Sequence, residues 1–459
     1  MNETVRKFVL FGAGPVFSAI INIVTVPLLS WLLLPGEYAK AILSLTSLNL
    51  VSLLCLGGLD QAFVRNYHEV SDVGKLVFHT LGVTLVLCCA VVLFMALNWN
   101  AISVYLYDSI DVFAGVILLA HLFVLVACRY YFLLVRMDER AGLYSLLTIA
   151  QAVLNLVFIL AFIYSLNVND FKSVLFAAML SQVFVLLLLM CNSKKFRILV
   201  WRFEIDYFKP LFDYSWPLVI SAVFMWALYS SDQWVLKHLS GLEELGIYSV
   251  AYKIASVGVV LQALITIYWV PLSLKWYRSG APVERYGIVA EIFCLLFMLM
   301  FIILVYCRGF LSAVLAPEYL AAIDVFPYIL AYPLMYTLSE VLSVGITFTR
   351  KNKYLVAITA ICAIVNVVVN FLMIPKWGAL GAGYATAIAF VLYLLLRVAL
   401  GFMVWSRFQV SNVVLMIVGM IFVLLVIGSP FENIALSMFL LLLLLIALFG
   451  VDRWRSLVS

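Results

Sequence analysis

Residues 8–34 read FVLFGAGPVFSAIINIVTVPLLSWLLL, and this stretch contains no Asp, Glu, Lys or Arg. About 20 consecutive apolar residues suffice for a helix to cross the hydrocarbon core of a bilayer, so the run predicts a membrane-spanning helix. It is too long for the apolar part of a signal peptide, and no small-residue cleavage site follows it. We therefore expect this run to be retained as a span.

Similar apolar runs recur along the whole chain. Of its 459 residues, 66% are hydrophobic and 11% are charged, and the mean hydropathy is +1.17. Soluble proteins carry about 25% charged residues, so much of the surface must face lipid. The sequence predicts an all-α integral membrane protein with about 14 transmembrane helices. These spans, numbered 1 to 14, are residues 8–34, 40–63, 76–97, 112–135, 143–165, 171–191, 212–236, 245–274, 286–307, 322–349, 354–374, 380–404, 410–427 and 434–451.

The distribution of Lys and Arg predicts the orientation in the membrane. Of the 28 such residues, five lie on one side of these spans: Lys40, Lys172, Lys237, Arg308 and Lys376. Lys253 lies inside a span, and the remainder lie on the other side. Because cytoplasmic loops are enriched in Lys and Arg, we expect both termini in the cytoplasm. With a net charge of +5 and no charged block, no nucleic-acid partner is expected.

The eight cysteines lie within or at the ends of apolar runs. No spacing among them suits a zinc site or a redox pair, so we expect small hydrophobic side chains packed between helices. We predict no metal, no disulfide and no cofactor. The chain also lacks a Gly-x-x-x-x-Gly-Lys-[Ser/Thr] nucleotide loop, which argues against ATP hydrolysis.

An internal repeat predicts the domain organisation. Spans 1 and 7 each carry a proline in their first turns, and Gly36-Glu37-Tyr38 and Gly246-Ile247-Tyr248 open the spans that follow. We predict an N-terminal six-helix lobe, a cytoplasmic linker, a C-terminal six-helix lobe, and an extra helical hairpin with a cytoplasmic tail, at residues 1–197, 198–211, 212–406 and 407–459. Two such lobes around a central site are typical of alternating-access transporters.

Several spans carry polar residues at helical spacing, which surfaces that face lipid rarely tolerate. The set includes Asn22 in span 1, Asn49 and Asp60 in span 2, and Tyr248 and Tyr252 in span 8. For the Asn, Ser and Thr members, hydrogen bonds between helices explain the pattern as well as a cavity lining does. The ionisable members favour a functional site more strongly.

Glu340 in span 10 and Lys253 in span 8 are the deepest charges. A charge near the middle of the membrane costs about 2.5–3.5 kcal/mol on insertion scales, so water, a partner or a function must compensate. Glu340 is a candidate for a protonation step that couples transport to a pH gradient. The alternative is a fixed ion pair with Lys253 that holds spans 8 and 10 together.

Arg129 in span 4 and Arg397 in span 12 lie in the inner thirds of their spans. Their side chains either bind an anionic cargo or extend to the cytoplasmic interface. His121 shares a helical face with Arg129 and is a second coupling candidate, because histidine titrates near neutral pH. The alternative is a histidine that only forms hydrogen bonds.

Four stretches resemble one transporter family when they are taken together. They are GLDQAFVRNYHE (58–69), DQWVL (232–236) followed by LGIYSVAYKIA (245–255), and IPKWGALGAGYAT (374–386) after Asn366 and Asn370. The sequence thereby resembles the polysaccharide transporter family of the multidrug/oligosaccharidyl-lipid/polysaccharide (MOP) flippase superfamily, in particular the O-antigen type flippases. Spans 13 and 14 exceed the twelve spans often found in that family. They resemble the hairpin of fourteen-span lipid II flippases, where they form a groove for a lipid tail.

This resemblance implies a flippase that moves an undecaprenyl-diphosphate-linked oligosaccharide from the cytoplasmic to the outer leaflet. A diphosphate attracts Arg and Lys, and sugars stack on tyrosines and bond to amides. The expected substrate-binding residues are Asn22, Asn49, Asp60, Arg65, Arg129, Tyr248, Tyr252, Lys253 and Arg397. The coupling candidates remain Glu340 and His121. We expect a monomer in the lipid bilayer, with a polysaccharide polymerase and a chain-length regulator as candidate partners.

Three other functions fit the hydropathy. A multidrug and cation antiporter of the same superfamily would share the fold but need a compact drug site. A polytopic polysaccharide polymerase or ligase would be an enzyme, and we expect it to have large outer loops rich in Arg. The predicted outer loops here are short, and residues 98–111 contain no Lys or Arg. A scaffold for a polysaccharide assembly complex is the third alternative.

Overall fold

The predicted apolar runs are helical in the computed structural model, which describes residues 3–192, 202–349, 351 and 353–455. Some runs, such as span 8 and span 10, are divided between two consecutive helices. All regular structure in these residues is helical. Eleven helices there are long and apolar enough to cross a membrane. One of them, Lys353–Val404, contains predicted spans 11 and 12, and the backbone breaks between these spans at Gly378 (φ 52°, ψ −129°). The prediction of an all-helical membrane protein is confirmed.

Close contacts divide the chain into two units, Met1–Ser230 and Ser231–Ser459. Unit 1 contains α1 (Glu3–Leu32), α2 (Pro35–Leu56), α3 (Leu59–Asn66), α4 (Val73–Val77), α5 (Val83–Leu97), α6 (Trp99–Tyr107), α7 (Val112–Met137), α8 (Ala141–Leu166), α9 (Phe171–Asn192) and the first part of α10 (Ile205–Leu239). Unit 2 contains the rest of α10, α11 (Gly241–Ala255), α12 (Val257–Arg278), α13 (Glu284–Tyr306), α14 (Ala322–Leu342), α15 (Val344–Phe348), α16 (Lys353–Val404), α17 (Ser411–Val426) and α18 (Glu432–Arg455).

The division between the units falls within α10. That helix begins at Ile205, inside the segment predicted as a linker, 198–211. Residues 198–201 of the predicted linker lie outside the described residues. The lobe boundaries therefore stay a prediction. The predicted C-terminal hairpin, 407–459, contains the paired helices α17 and α18.

Two glycines end α2 earlier than predicted. Span 2 was expected to run to Phe63, but α2 ends at Leu56, and Gly57 and Gly58 both have left-handed backbones (φ 53° and 69°). A side chain is strained at such angles, and a Cβ on Gly58 would lie 2.6 Å from the carbonyl oxygen of Ser215. The turn therefore redirects the chain into α3, which carries the acidic residue of the predicted site.

Small residues bring α1 and α8 together in unit 1. The backbone N–H of Gly14 donates to Ser145 Oγ at 3.1 Å, and a Cβ on Gly14 would lie 2.6 Å from the Ser145 backbone. Ser145 also hydrogen-bonds the carbonyl of Leu10, and Ser18 Oγ donates to the carbonyl of Thr148. Close approach at small residues is the usual basis of helix association in lipid.

Equivalent hydrogen bonds in the two units support the internal repeat. In unit 1, Glu37 at the start of α2 accepts from the N–H of Phe171, the first residue of α9, at 3.0 Å. In unit 2, Glu244 in α11 accepts from the N–H of Ala379, just after the break in α16, at 2.7 Å. A carboxylate caps a helix N-terminus in both cases. The structure thus aligns Glu37 with Glu244, whereas the sequence pattern had aligned Gly36 with Gly246.

Candidate functional site

A charged cavity of about 340 Å³ lies within unit 1. Its walls come from α2, α3, α7 and the N-terminal part of α10. Three of the predicted binding residues line it: Asn49, Asp60 and Arg129. We call it the Arg129 cavity. Its other polar lining residues are Ser52 and Gln61.

Arg129 is paired with Asp60 but keeps part of its guanidinium open. Its Nη2 donates to Asp60 Oδ2 at 2.9 Å and its Nε donates to the same oxygen at 3.2 Å. The Asp60 side chain is 8% exposed, whereas that of Arg129 is 48% exposed. Nη1 of Arg129 has no hydrogen-bond partner in the described part of the chain. Free guanidinium donors of this kind suit the oxygens of a phosphate.

The local sequence fixes this geometry. The glycine turn at 57–58 ends α2 and starts α3. Asp60 therefore lies on α3, where its carboxylate contacts Arg129 of α7. Gln61 Nε2 donates to Asp60 Oδ2 at 2.9 Å, which helps to hold the carboxylate. Arg65, on the same short helix, lies with its guanidinium carbon 4.4 Å from the ring centroid of Tyr214. Arg65 is exposed but does not line the Arg129 cavity.

A second cavity of unit 1, of about 250 Å³, lies between α1, α8 and α9. Four side-chain amides line it, from Asn22, Gln151, Asn155 and Gln182, and we call it the carboxamide cavity. Ser18, Thr148 and Ser181 line it as well, but their hydroxyls already donate to backbone carbonyls. Asn22 was predicted as a binding residue, whereas the other three amides were not.

His121 lies behind the carboxamide cavity. It is buried, and its Nε2 is 3.2 Å from Gln182 Oε1. The sequence analysis gave two roles for His121, proton coupling or hydrogen bonding alone. The contact with Gln182 is of the second kind. The Nδ1 atom of His121 has no hydrogen-bond partner among the residues described.

In unit 2, the predicted tyrosines pack within the protein. The Tyr248 hydroxyl is buried and donates to Asp232 Oδ2 at 2.7 Å, and the Tyr252 ring stacks on Tyr332 with 5.7 Å between centroids. Lys253, the next residue of α11, is exposed and makes no ion pair with any described residue.

The ion pair of Lys253 with Glu340, which the sequence left open as an alternative to a coupling role, does not form between these two residues in the structure. Glu340 lies half-buried beside Tyr336 on α14. Arg397 is buried on α16, where its Nε donates to Ser343 Oγ at 3.0 Å and its guanidinium lies 5.5 Å from the Tyr393 ring. Packing inside unit 2, and not extension to the interface, therefore accounts for Arg397 here.

Sequence reasoning missed the environment of Asp232. This carboxylate is buried on α10, and three side chains donate to it: Tyr248, Thr386 and Asn370, the first two at 2.7 Å each. Asn366 extends the cluster through its Oδ1, which accepts from Asn370 and from Ser231. The motif residues had been noted separately, but no sequence signal joins positions on three different helices.

No group of three or more His, Cys, Asp or Glu side chains in the described residues is arranged to hold a metal ion. The Asp232 cluster has a single carboxylate, with amide and hydroxyl oxygens around it. Such oxygens are hard ligands, and most of them here take part in hydrogen bonds within the cluster, whereas Asn370 Oδ1 has no partner among the described residues. The cysteines of the described chain are free thiols.

A family of polysaccharide biosynthesis proteins matches residues 4–276 of the chain. No curated protein sequence matches this chain. Among solved structures, a lipid II flippase, MurJ, in an inward closed conformation is 13% identical, with a TM-score of 0.72 over 98% of this chain and 100% of that one. An inward-facing MATE multidrug transporter of the MOP superfamily is 15% identical, with a TM-score of 0.64 over 84% and 97%. A MOP transporter from Pyrococcus furiosus, 15% identical, has a TM-score of 0.53 over 87% and 94%.

Proposed function

The chain belongs to the family of polysaccharide biosynthesis proteins, and from that premise we propose that it is a flippase for a lipid-linked oligosaccharide. It moves a polyprenyl-diphosphate-linked unit of O-antigen or another surface polysaccharide from the cytoplasmic to the outer leaflet by alternating access. Its family and fold are those of MOP transporters, which are not enzymes. In the cell it would deliver this cargo to a polysaccharide polymerase.

The Arg129 cavity is the observation that carries this proposal. A diphosphate is too costly to move through hydrocarbon without a cationic partner and polar surroundings. Arg129 provides the cation, and Asp60 fixes its orientation while leaving guanidinium donors open. Asn49, Ser52 and Gln61 add uncharged polar groups to the same wall. The lipid tail can remain in the bilayer while the head group crosses this polar space.

An exposed arginine disfavours the multidrug antiporter alternative for cationic drugs. A cation that enters the Arg129 cavity meets a like charge, and Asp60, the one carboxylate among the described residues that line it, is already paired. A cargo that is anionic at one end and rich in hydroxyl groups at the other fits both cavities of unit 1.

Deletion of the gene in the source bacterium tests the proposed function. We expect surface polysaccharide to be lost and the lipid-linked oligosaccharide to accumulate on the cytoplasmic face of the inner membrane. Restoring the gene should reverse both effects. Accumulation of the same lipid on the outer face would instead indicate a polymerase or ligase.

The proposed orientation has its own test. In a variant without native cysteines, Cys at Ser109 or Glu318 should react with an impermeant maleimide added to spheroplasts, and Cys at Ser279 should react only after permeabilisation. All three positions are exposed in the structure. Labelling of Ser279→Cys in intact spheroplasts would contradict cytoplasmic termini.

We propose Glu340 as the coupling residue. Its carboxyl group lies half-buried beside Tyr336 on α14, and a proton that it binds in one state and releases in the other would couple flipping to a pH gradient. We expect Glu340→Gln to abolish the dependence of flipping on an imposed pH gradient while downhill flipping continues. Glu284→Gln, at an exposed position, is the control. Unchanged gradient dependence in Glu340→Gln would place coupling elsewhere, with His121 as the next candidate.

A further inference from the structure

The carboxamide cavity contains amide groups that the protein itself does not use. The side chains of Asn22, Gln151 and Asn155 make no hydrogen bond with any residue that the structure describes. The Asn155 Oδ1 atom is buried and without a partner. An unsatisfied buried acceptor costs about 1–3 kcal/mol. A ligand or ordered water that satisfies these groups would recover this free energy.

The spacing shows that the amides form one surface. Ser18 and Asn22 lie four residues apart on α1, and Thr148, Gln151 and Asn155 follow at intervals of three and four on α8, so each set shares one helical face. The neighbouring serine and threonine hydroxyls bond to backbone carbonyls. The amides are therefore the groups left to contact a ligand.

The lining chemistry selects a neutral, polar ligand. No Asp, Glu, Lys or Arg lines the cavity, so it offers neither a carboxylate for a hard cation nor a cation for a phosphate. An apolar ligand would leave the amides unpaired. A side-chain amide offers two donors and one acceptor oxygen, which complements adjacent hydroxyl groups that each donate and accept.

The size and position of the cavity fit one part of the proposed cargo. Pockets for drug-sized ligands occupy about 300–1,000 Å³, so 250 Å³ suits a smaller group, of the size of one sugar ring. His121, which contacts Gln182, precedes Arg129 by eight residues on α7, a rise of about 12 Å. A sugar attached to the diphosphate lies within that range of the Arg129 guanidinium.

We propose that the carboxamide cavity binds a sugar residue of the lipid-linked cargo through the side chains of Asn22, Gln151, Asn155 and Gln182. This inference rests on the proposed flippase function. It divides recognition in unit 1 between two places: Arg129 contacts the diphosphate, and the four amides contact hydroxyl groups. Selectivity among sugars then arises from the amides.

The double variant Gln151→Leu/Asn155→Leu tests this proposal through two readouts. Because Asn155 lacks a partner, we expect the melting temperature of the purified protein to stay the same or rise. Binding of the lipid-linked oligosaccharide purified from the source bacterium should weaken about tenfold or more, which corresponds to about 1.4 kcal/mol. Binding of undecaprenyl diphosphate, which carries no sugar, should change less than about twofold. Asn433→Leu, an exposed asparagine on α18, is the control.

Each other outcome has a defined meaning. Equal weakening for both probes, or a lower melting temperature, would show a structural role and overturn the sugar site. Unchanged binding of both probes would also overturn it. A variant that altered only sodium or pH dependence would indicate an ion site and overturn it as well. Failure of the wild-type protein to bind either probe would instead refute the proposed function itself.

Discussion

Arg129→Gln is expected to slow flipping of the lipid-linked oligosaccharide by about 10-fold to 100-fold. Hydrogen bonds to a charged group contribute about 1.5–3 kcal/mol, and glutamine retains neither the charge nor the paired donors. The measurement is the initial rate of flipping in liposomes at equal protein content. The control is Arg136→Gln, at an exposed arginine about two turns further along α7 that does not line the cavity, and this variant should flip the lipid at the wild-type rate.

The Arg129 variant leaves Asp60 without its cationic partner, so a folding defect must be separated from a binding defect. The double variant Asp60→Asn/Arg129→Gln removes the unpaired carboxylate and should restore the amount of protein in the membrane without restoring flipping. Arg129→Lys keeps the charge but loses the forked donors, and we expect an intermediate rate. A wild-type rate in the double variant would exclude Arg129 from cargo binding.

Asp232→Ala is expected to cause the largest loss of stability among single substitutions in unit 2. Tyr248, Thr386 and Asn370 all donate to this buried carboxylate, and the variant removes these three hydrogen bonds. Thr386 and Asn370 keep their second acceptors, the carbonyl oxygen of Ala382 and the Oδ1 atom of Asn366. At about 1 kcal/mol or more for each lost hydrogen bond, the loss is about 3 kcal/mol or more. Thermal unfolding in detergent should therefore begin several degrees lower.

Two other aspartate variants make the Asp232 test specific. Asp232→Asn keeps an acceptor of the same shape and should lose less stability than Asp232→Ala. Asp213→Ala removes an exposed carboxylate from the same helix and should leave the unfolding temperature unchanged. Equal unfolding temperatures for Asp232→Ala and the wild type would contradict the packing described for this cluster.

Hydropathy predicted the fold because each span needs about 20 apolar residues, a property that any long window of the sequence reveals. The resemblance to MOP flippases is supported by the family match and by the MurJ and MATE structures. Helix ends were less predictable. Span 2 looked continuous to Phe63, because only the backbone angles of Gly57 and Gly58 show that α2 ends before Asp60.

The candidate site could be predicted only in part. Individual charges inside spans stand out, so Asp60 and Arg129 were identified, but their pairing joins α3 to α7 across 69 residues. Long separation along the chain also explains why the donors around Asp232 were not predicted. For the same reason, the sequence could not decide between a coupling role of Glu340 and an ion pair with Lys253. For uncharged polar residues such as Gln151 and Asn155, the sequence does not distinguish a side chain that lines a cavity from one that forms an ordinary hydrogen bond between helices.

Flipping by the purified protein in liposomes is the direct test of the proposed flippase function. Liposomes would contain the purified protein and the lipid-linked oligosaccharide from the source bacterium, and impermeant periodate would oxidise only the sugars on the outer leaflet. In empty liposomes, about half of the lipid should react, because a symmetric bilayer exposes one leaflet. We expect nearly all of it to become reactive with the wild-type protein present. At the same time point, the reactive fraction with Asp60→Asn/Arg129→Gln should lie well below the wild-type value and closer to that of empty liposomes. A reactive fraction that remains at one half with the folded wild-type protein would contradict the proposed flippase function.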